Sequence, residues 1–185
     1  MIRLEGVGIL HTIITKNIKK DEIVVKGGEI IWKFISVNNN LDSELAKLFT
    51  EKKGHKLVIE ILIKRQKGPG NVIAPYVRIL NGLVQIPQLI PSLLESGLAD
   101  TFNLDEEKDL EVITLNLDTL RKISNQKVGR DILITKKFAD KIIKNIRTWA
   151  KKKSIDPVLS GLTILDNLCI NEEGKKDIKE AGGID

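Results

Sequence analysis

The stretch Ile9-Leu10-His11-Thr12-Ile13-Ile14 sets how the rest of the chain is read. Its apolar residues form a pair, skip two positions and form a second pair, which is the spacing of one face of an α-helix. The same stripe returns as Leu57, Val58, Ile61 and Leu62, and again as Phe138, Ala139, Ile142 and Ile143. A weaker copy, Leu98, Ala99 and Phe102, falls between them, and Ile184 opens a fifth. The leading residues lie about 40 to 48 positions apart, the period of stacked helical units.

Two further elements keep step with the stripe. An acidic residue and a glycine precede it at Glu5 and Gly8, Glu51 and Gly54, Glu95 and Gly97, and Glu180 and Gly183. A helix that ends in a left-handed residue lets the next one leave at a steep angle, and glycine does this without steric cost. At Thr135 to Lys137 the glycine is missing, so that turn is expected to differ or to carry strain. Upstream lies an apolar helix, seen as Glu29 to Ser36, Val77 to Val84, Leu117 to Asn125 and Leu162 to Cys169. After each comes a modest polar helix: Leu41 to Lys53, Pro87 to Ser96, Val128 to Lys136 and Glu172 to Ala181. The unit is three helices, and one trio cannot hide its own apolar side, so neighbours must stack.

At this point the chain resembles the armadillo repeat family. The segment LDNLCINEEGKKDIKEAGGI, Leu165 to Ile184, is similar to the family's passage from a third helix, through a first helix, to the start of the next second helix. The resemblance implies an all-α, right-handed α-solenoid in a single array over residues 1–185. Its approximate units are 8–53, 54–96, 97–136 and 137–182, with both ends cut through a repeat. A HEAT-type array is the alternative, and a plain bundle fits less well because it would not repeat its glycines in step with its stripes.

The resemblance places function on the third helices, which line the concave surface. In the importin-α branch a tryptophan and an asparagine four residues later recur there. The corresponding pairs here are Trp32 with Ser36, Asn81 with Gln85, Arg121 with Asn125, and Asp166 with Ile170. Trp32 stands without its asparagine and Asn125 without its tryptophan, so nuclear-import signals are not the expected ligand. The β-catenin branch holds extended acidic segments in a basic groove, whereas here Arg121 and Lys122 are mixed with Asp166, Asn81 and Trp32. The candidate partner-binding residues are therefore Trp32, Ser36, Asn81, Gln85, Arg121, Asn125 and Asp166. Trp32 reads equally well as a packing residue, and Asn81 and Asn125 as helix-end caps.

Composition bounds the rest. The chain has 185 residues, 42% of them hydrophobic and 30% charged, enough for a core and a wet exterior. A net charge of +5 raises nucleic acid as a partner, but arginine occurs only at Arg3, Arg65, Arg78, Arg121, Arg130 and Arg147 among 30 basic residues. Lysine excess disfavours phosphate or base readout, which draws on the arginine fork. No apolar run approaches the roughly eighteen residues of a membrane span, and the N-terminus lacks a secretory pattern. Cys169 is the single cysteine and fits a reducing compartment, with the cytoplasm as default and a cytoskeletal or ciliary setting as a variant. It reads as a small buried hydrophobe.

Catalytic chemistry is not expected, and neither is a cofactor or metal. His11 and His55 fall at near-equivalent places without a third ligand and read as helix-surface residues. The acidic pairs beginning at Glu106 and Glu172 suit a loop or a helix start. Gln66 to Asn71, with its Gly-Pro-Gly, reads as a connector, and the acidic Asn103 to Asp109 takes the equivalent place one unit later. The expected role is a non-enzymatic scaffold for a partner protein or an extended peptide. The alternatives are an architectural subunit docking through its outer face and a basic nucleic-acid binder.

Overall fold

The computed structural model describes residues 5–38, 40–104 and 109–183. It is all-helical apart from one minimal hairpin, and it divides into two compact units, Met1–Thr101 and Phe102–Asp185.

The first unit opens with α1 (Glu5–Lys16) and α2 (Asp21–Ile35), followed by two-residue strands β1 (Ser36–Val37) and β2 (Asn40–Leu41). The strands pair antiparallel, with Ser36 opposite Leu41 and Val37 opposite Asn40. Next come α3 (Ser43–Glu51), α4 (Gly54–Arg65) and α5 (Gly70–Leu83). A 3-10 turn over Pro87–Leu89 runs into α6 (Ile90–Glu95), and a second covers Leu98–Thr101. Asp42 caps α3, its Oδ1 accepting from the backbone N–H groups of Glu44 and Leu45 at 3.0 and 2.9 Å. α2 packs on α5 over Gly28 and meets Ile14 of α1 at Gly27. A Cβ on Gly28 would stand 2.7 Å from Pro75 Cβ, and one on Gly27 would stand 2.5 Å from Ile14 Cδ1. Tyr76, fully buried, donates its hydroxyl to the Val24 carbonyl at 2.6 Å and ties the two helices together. Burial pushes the Tyr76 pKa well above its ordinary value, so the phenol stays a donor.

The second unit holds α7 (Leu110–Ser124), α8 (Lys127–Thr135), α9 (Phe138–Lys151), α10 (Ile155–Leu168) and α11 (Glu172–Glu180). α10 packs on both α9 and α7, and α8 lies against α7, α9 and α10. Gly161 lets α9 approach, since a Cβ there would lie 2.5 Å from Ile146. Gly129 and Gly174 sit at matching places in α8 and α11. A Cβ on either would fall about 2 Å from the carbonyl oxygen of Ile123 or Leu168 respectively. Phe102 meets the Phe138 ring edge-on at 6.2 Å, and Asn145 donates its amide to the Leu104 carbonyl at 3.2 Å.

Several junctions differ from the sequence reading. Left-handed residues stand at Lys53, Gly97, Lys137 and Gly182, as well as at Asn38 and Lys153, so the turn before α4 is made by Lys53 while Gly54 serves another purpose. A Cβ on Gly54 would lie 2.2 Å from the Phe49 ring, and the glycine is there for that close approach. Lys137, at φ 52°, is the strained turn expected where glycine is missing. Gly8 lies inside α1, and Gly182 rather than Gly183 makes the last left-handed turn. The weak stripe at Leu98, Ala99 and Phe102 is buried, yet its backbone forms only the short 3-10 turn. Asp109 caps α7, accepting from the Glu111 and Val112 N–H groups. Glu106 lies outside the described residues, as does Ile184.

Candidate protein-binding surface

The third helices of the sequence reading are α2 and α5 in the first unit and α7 and α10 in the second. On the first pair, Trp32, Lys33 and Glu29 from α2 face Pro75 and Arg78 from α5 across an open groove of about 510 Å³. The tryptophan is half-buried. Its ring lies 3.1 Å from where a Cβ on Gly82 would stand, and that same Cβ would meet Leu41 at 3.3 Å. Trp32 therefore packs on the bare backbone of α5 and still borders the groove, joining the two roles weighed for it. Glu29 accepts from Lys26 at 2.9 Å, and this hydrogen bond and charge hold its carboxyl below the usual range. Groove charge comes from Glu29 and from the exposed Lys33 and Arg78, none of which the tryptophan-asparagine pattern marks.

Ser36 has left the helix. It is the first residue of β1, and its hydroxyl folds back to donate to the Trp32 carbonyl at 2.7 Å. Asn81 is buried within α5 rather than capping it, and Gln85 is exposed just past the helix end.

On the second pair, Arg121 donates to Asp118 Oδ1 at 2.5 Å and Lys122 Nζ lies 2.7 Å from Asp118 Oδ2, so one carboxylate serves both cations. Asn125 ends α7, and its Oδ1 accepts from the Asn167 amide of α10 at 2.9 Å, while Asn167 also donates to Ser124 Oγ at 2.8 Å. Asp166 is exposed on α10. Ile155, Leu159 and Leu162 stand at helical spacing with it and are 50–69% exposed, and Ile170, just past the helix end, is exposed as well. Large aliphatic side chains that share one open face mark a contact surface more often than chance exposure does. The polar clamp pattern does not mark this ladder, although Leu162 and Leu159 lie four and seven residues before Asp166 in the sequence.

Reactive groups are dispersed. His11 Nε2 lies 3.3 Å from Glu60, while His55 is buried with its Nε2 3.0 Å from Ser96 Oγ, so the two histidines take different partners. Burial, with Lys56 nearby, holds the His55 pKa below its ordinary value. Cys169 is half-buried at the end of α10, not the fully buried residue expected. Glu172 lies in the first turn of α11 as read. Among the described residues no group of three or more histidines, cysteines and carboxylates is placed to hold a metal. No described helix is long and apolar enough to cross a membrane.

No family model matches the chain, and no curated protein matches it. Among solved structures it is similar to the crystal structure of an engineered protein from the Northeast Structural Genomics Consortium. The TM-score is 0.73 at 16% identity, over 96% of this chain and 68% of the other. The likeness is one of fold.

Proposed function

We propose that this chain is an armadillo-type α-solenoid that holds a partner protein, without catalysis, on the exposed faces of its third helices. The observation that carries the reading is the aliphatic ladder Ile155, Leu159 and Leu162 beside Asp166 on α10, with Ile170 exposed just past the helix end. An apolar centre rimmed by charges is the composition of a protein contact, with the anchors desolvated on binding and the rim setting orientation. Trp32 with Lys33 and Arg78 supplies a second contact of the same kind, an aromatic platform between cations. The period near 45, the recurring buried stripes and the left-handed turns at Lys53, Gly97, Lys137 and Gly182 support the armadillo-type reading. A single cysteine suits the cytoplasm.

A display selection of extended peptides against the whole chain tests the function. Peptides enriched on the native protein should lose binding at least about tenfold on Leu162→Glu, with unchanged helical content by circular dichroism. Selected peptides whose binding ignores both Leu162→Glu and Trp32→Ala would remove the third-helix faces from the account.

A further inference from the structure

Positive charge is densest around one helix. From Lys136 to Lys153, which is α9 with two residues on either side, stand eight lysines and arginines and one acidic residue, Asp140, for a net of +7. The whole chain carries +5, so the other residues together are net −2. Lys137, Lys141, Lys144 and Lys151 follow one another at steps of four, three and seven, which is one face of a helix over about 21 Å. The opposite face, with Phe138, Ala139, Ile142, Ile143 and Trp149, is buried. Of the eight cations all but Lys141 are exposed.

Asp140 is the one carboxylate of α9, and its Oδ2 lies 2.8 Å from Lys144 Nζ. Lys137 Nζ stands 3.6 Å from Glu180 Oε2 of α11. Both pairs are exposed, and such pairs contribute little and leave their charges in water. The run Lys52 to Lys67 around α4 leans the same way, six basic residues to Glu60, but there Lys64 and Arg65 are held by Glu60 and by Asp21 of α2. Covering ammonium groups with apolar chain is costly, so the place of the α9 row in water follows from its own chemistry.

We propose that the basic face of α9 docks the chain peripherally on an anionic lipid bilayer, held by charge and without insertion. Seven of the eight cations are lysines, point charges on flexible stems that lack the fork for phosphate pairs or base edges. An extended acidic peptide draws on backbone hydrogen bonds and pockets as well as charge, whereas a row of ammonium groups supplies charge alone. A plane of negative headgroups meets a straight row along its whole length, and lysines clustered on one helix are suited to it. The apolar side of α9 is used inside the fold, so no stripe is left to enter the acyl chains. The face shares no residue with the α10 ladder or the Trp32 groove, so this reading and the protein-holding one fail independently.

Vesicle sedimentation with the intact chain tests this. Phosphatidylcholine vesicles containing about 30% phosphatidylserine should carry the chain down at about 0.1 M salt, and the binding should fade by about 0.5 M. Vesicles of phosphatidylcholine alone should not bind it. Each lysine near an anionic bilayer is worth about fivefold in affinity, so Lys136→Gln, Lys144→Gln and Lys151→Gln together should weaken binding about a hundredfold. Helical content by circular dichroism should be unchanged, since all three positions are exposed. Lys19→Gln, Lys26→Gln and Lys47→Gln remove the same charge from exposed positions off α9 and should cost less than about fivefold in all. The proposal is overturned if the anionic vesicles leave the chain in solution, if neutral vesicles bind it as well, or if the two triple variants bind alike. It is overturned in favour of nucleic acid if a DNA duplex at equal phosphate concentration strips the chain from the vesicles.

Discussion

Gly129→Ala and Gly174→Ala make one chemical change at two matching points, the first turns of α8 and α11. The new Cβ would lie 2.1 Å from the Ile123 carbonyl oxygen in one case and 2.0 Å from that of Leu168 in the other, where ordinary contact begins at 3.4 Å. The obstructing atoms are backbone at the end of a packed helix, so rotamer change gives no relief and the two helices must separate. Overpacking of this kind costs about 1–3 kcal/mol, and alanine returns up to about 1 kcal/mol through helix propensity. A net loss of about 1–2 kcal/mol should remain, lowering the midpoint by a few degrees in a chain of this size. Gly8→Ala is the control: it lies within α1 with nothing inside 4 Å of its Cβ, so it should stabilise by about 0.5–1 kcal/mol. Denaturant melts of the three variants, followed by circular dichroism, decide the matter. If Gly129→Ala and Gly174→Ala raise stability as Gly8→Ala does, the short helices do not seat as described.

Tyr76→Phe removes the hydroxyl that reaches the Val24 carbonyl and should cost about 1 kcal/mol in the same melts. Lys137→Gly relieves a left-handed lysine and should stabilise by about 1 kcal/mol, while the same change at Lys136, which is not left-handed, should not. Stability should also fall as pH drops through the ordinary histidine range. His55 is held neutral by burial in the folded chain, while the unfolded chain takes up a proton below about pH 6.5, so protonation favours unfolding. The midpoint measured at about pH 5.5 should lie below that at about pH 7.5, and His55→Asn should flatten the difference.

How much of this could be read in the sequence differs between elements. The stripes at Leu57 and Phe138 were legible because a helix buried on one face writes its period directly, and both are fully covered. The stripe at Ile9 has the same letters and is half exposed, since exposure depends on what lies opposite and the sequence of α1 carries no record of that. Gly54 was visible, but its purpose was not: a glycine needed for a left-handed turn and one needed beneath a phenylalanine ring look alike in a string. At Leu98 the apolar letters point to a helix, whereas the backbone forms only a 3-10 turn over Leu98–Thr101. Of the candidate surface, Trp32 was found by pattern and does border a groove. Ser36 was misplaced because hydrophobic spacing does not mark where α2 stops and the hairpin begins, and the backbone turns extended there, at φ −128° and ψ 150°. The α10 ladder is not marked by the tryptophan-asparagine pattern, because that pattern picks out polar and aromatic positions and the exposed residues here are aliphatic.

The most direct test of a partner-holding surface is site-specific photo-crosslinking in cells that make the chain. A photoreactive phenylalanine analogue is placed in turn at Leu162, at Trp32 and, as a control away from both, at the exposed Lys56 on α4. The account predicts adducts to one and the same protein from Leu162 and Trp32, lost when Leu159 is changed to Glu in the Leu162 probe, and none of that protein from Lys56. Adducts to that protein from Lys56 alone, with Leu162 and Trp32 silent, would contradict it.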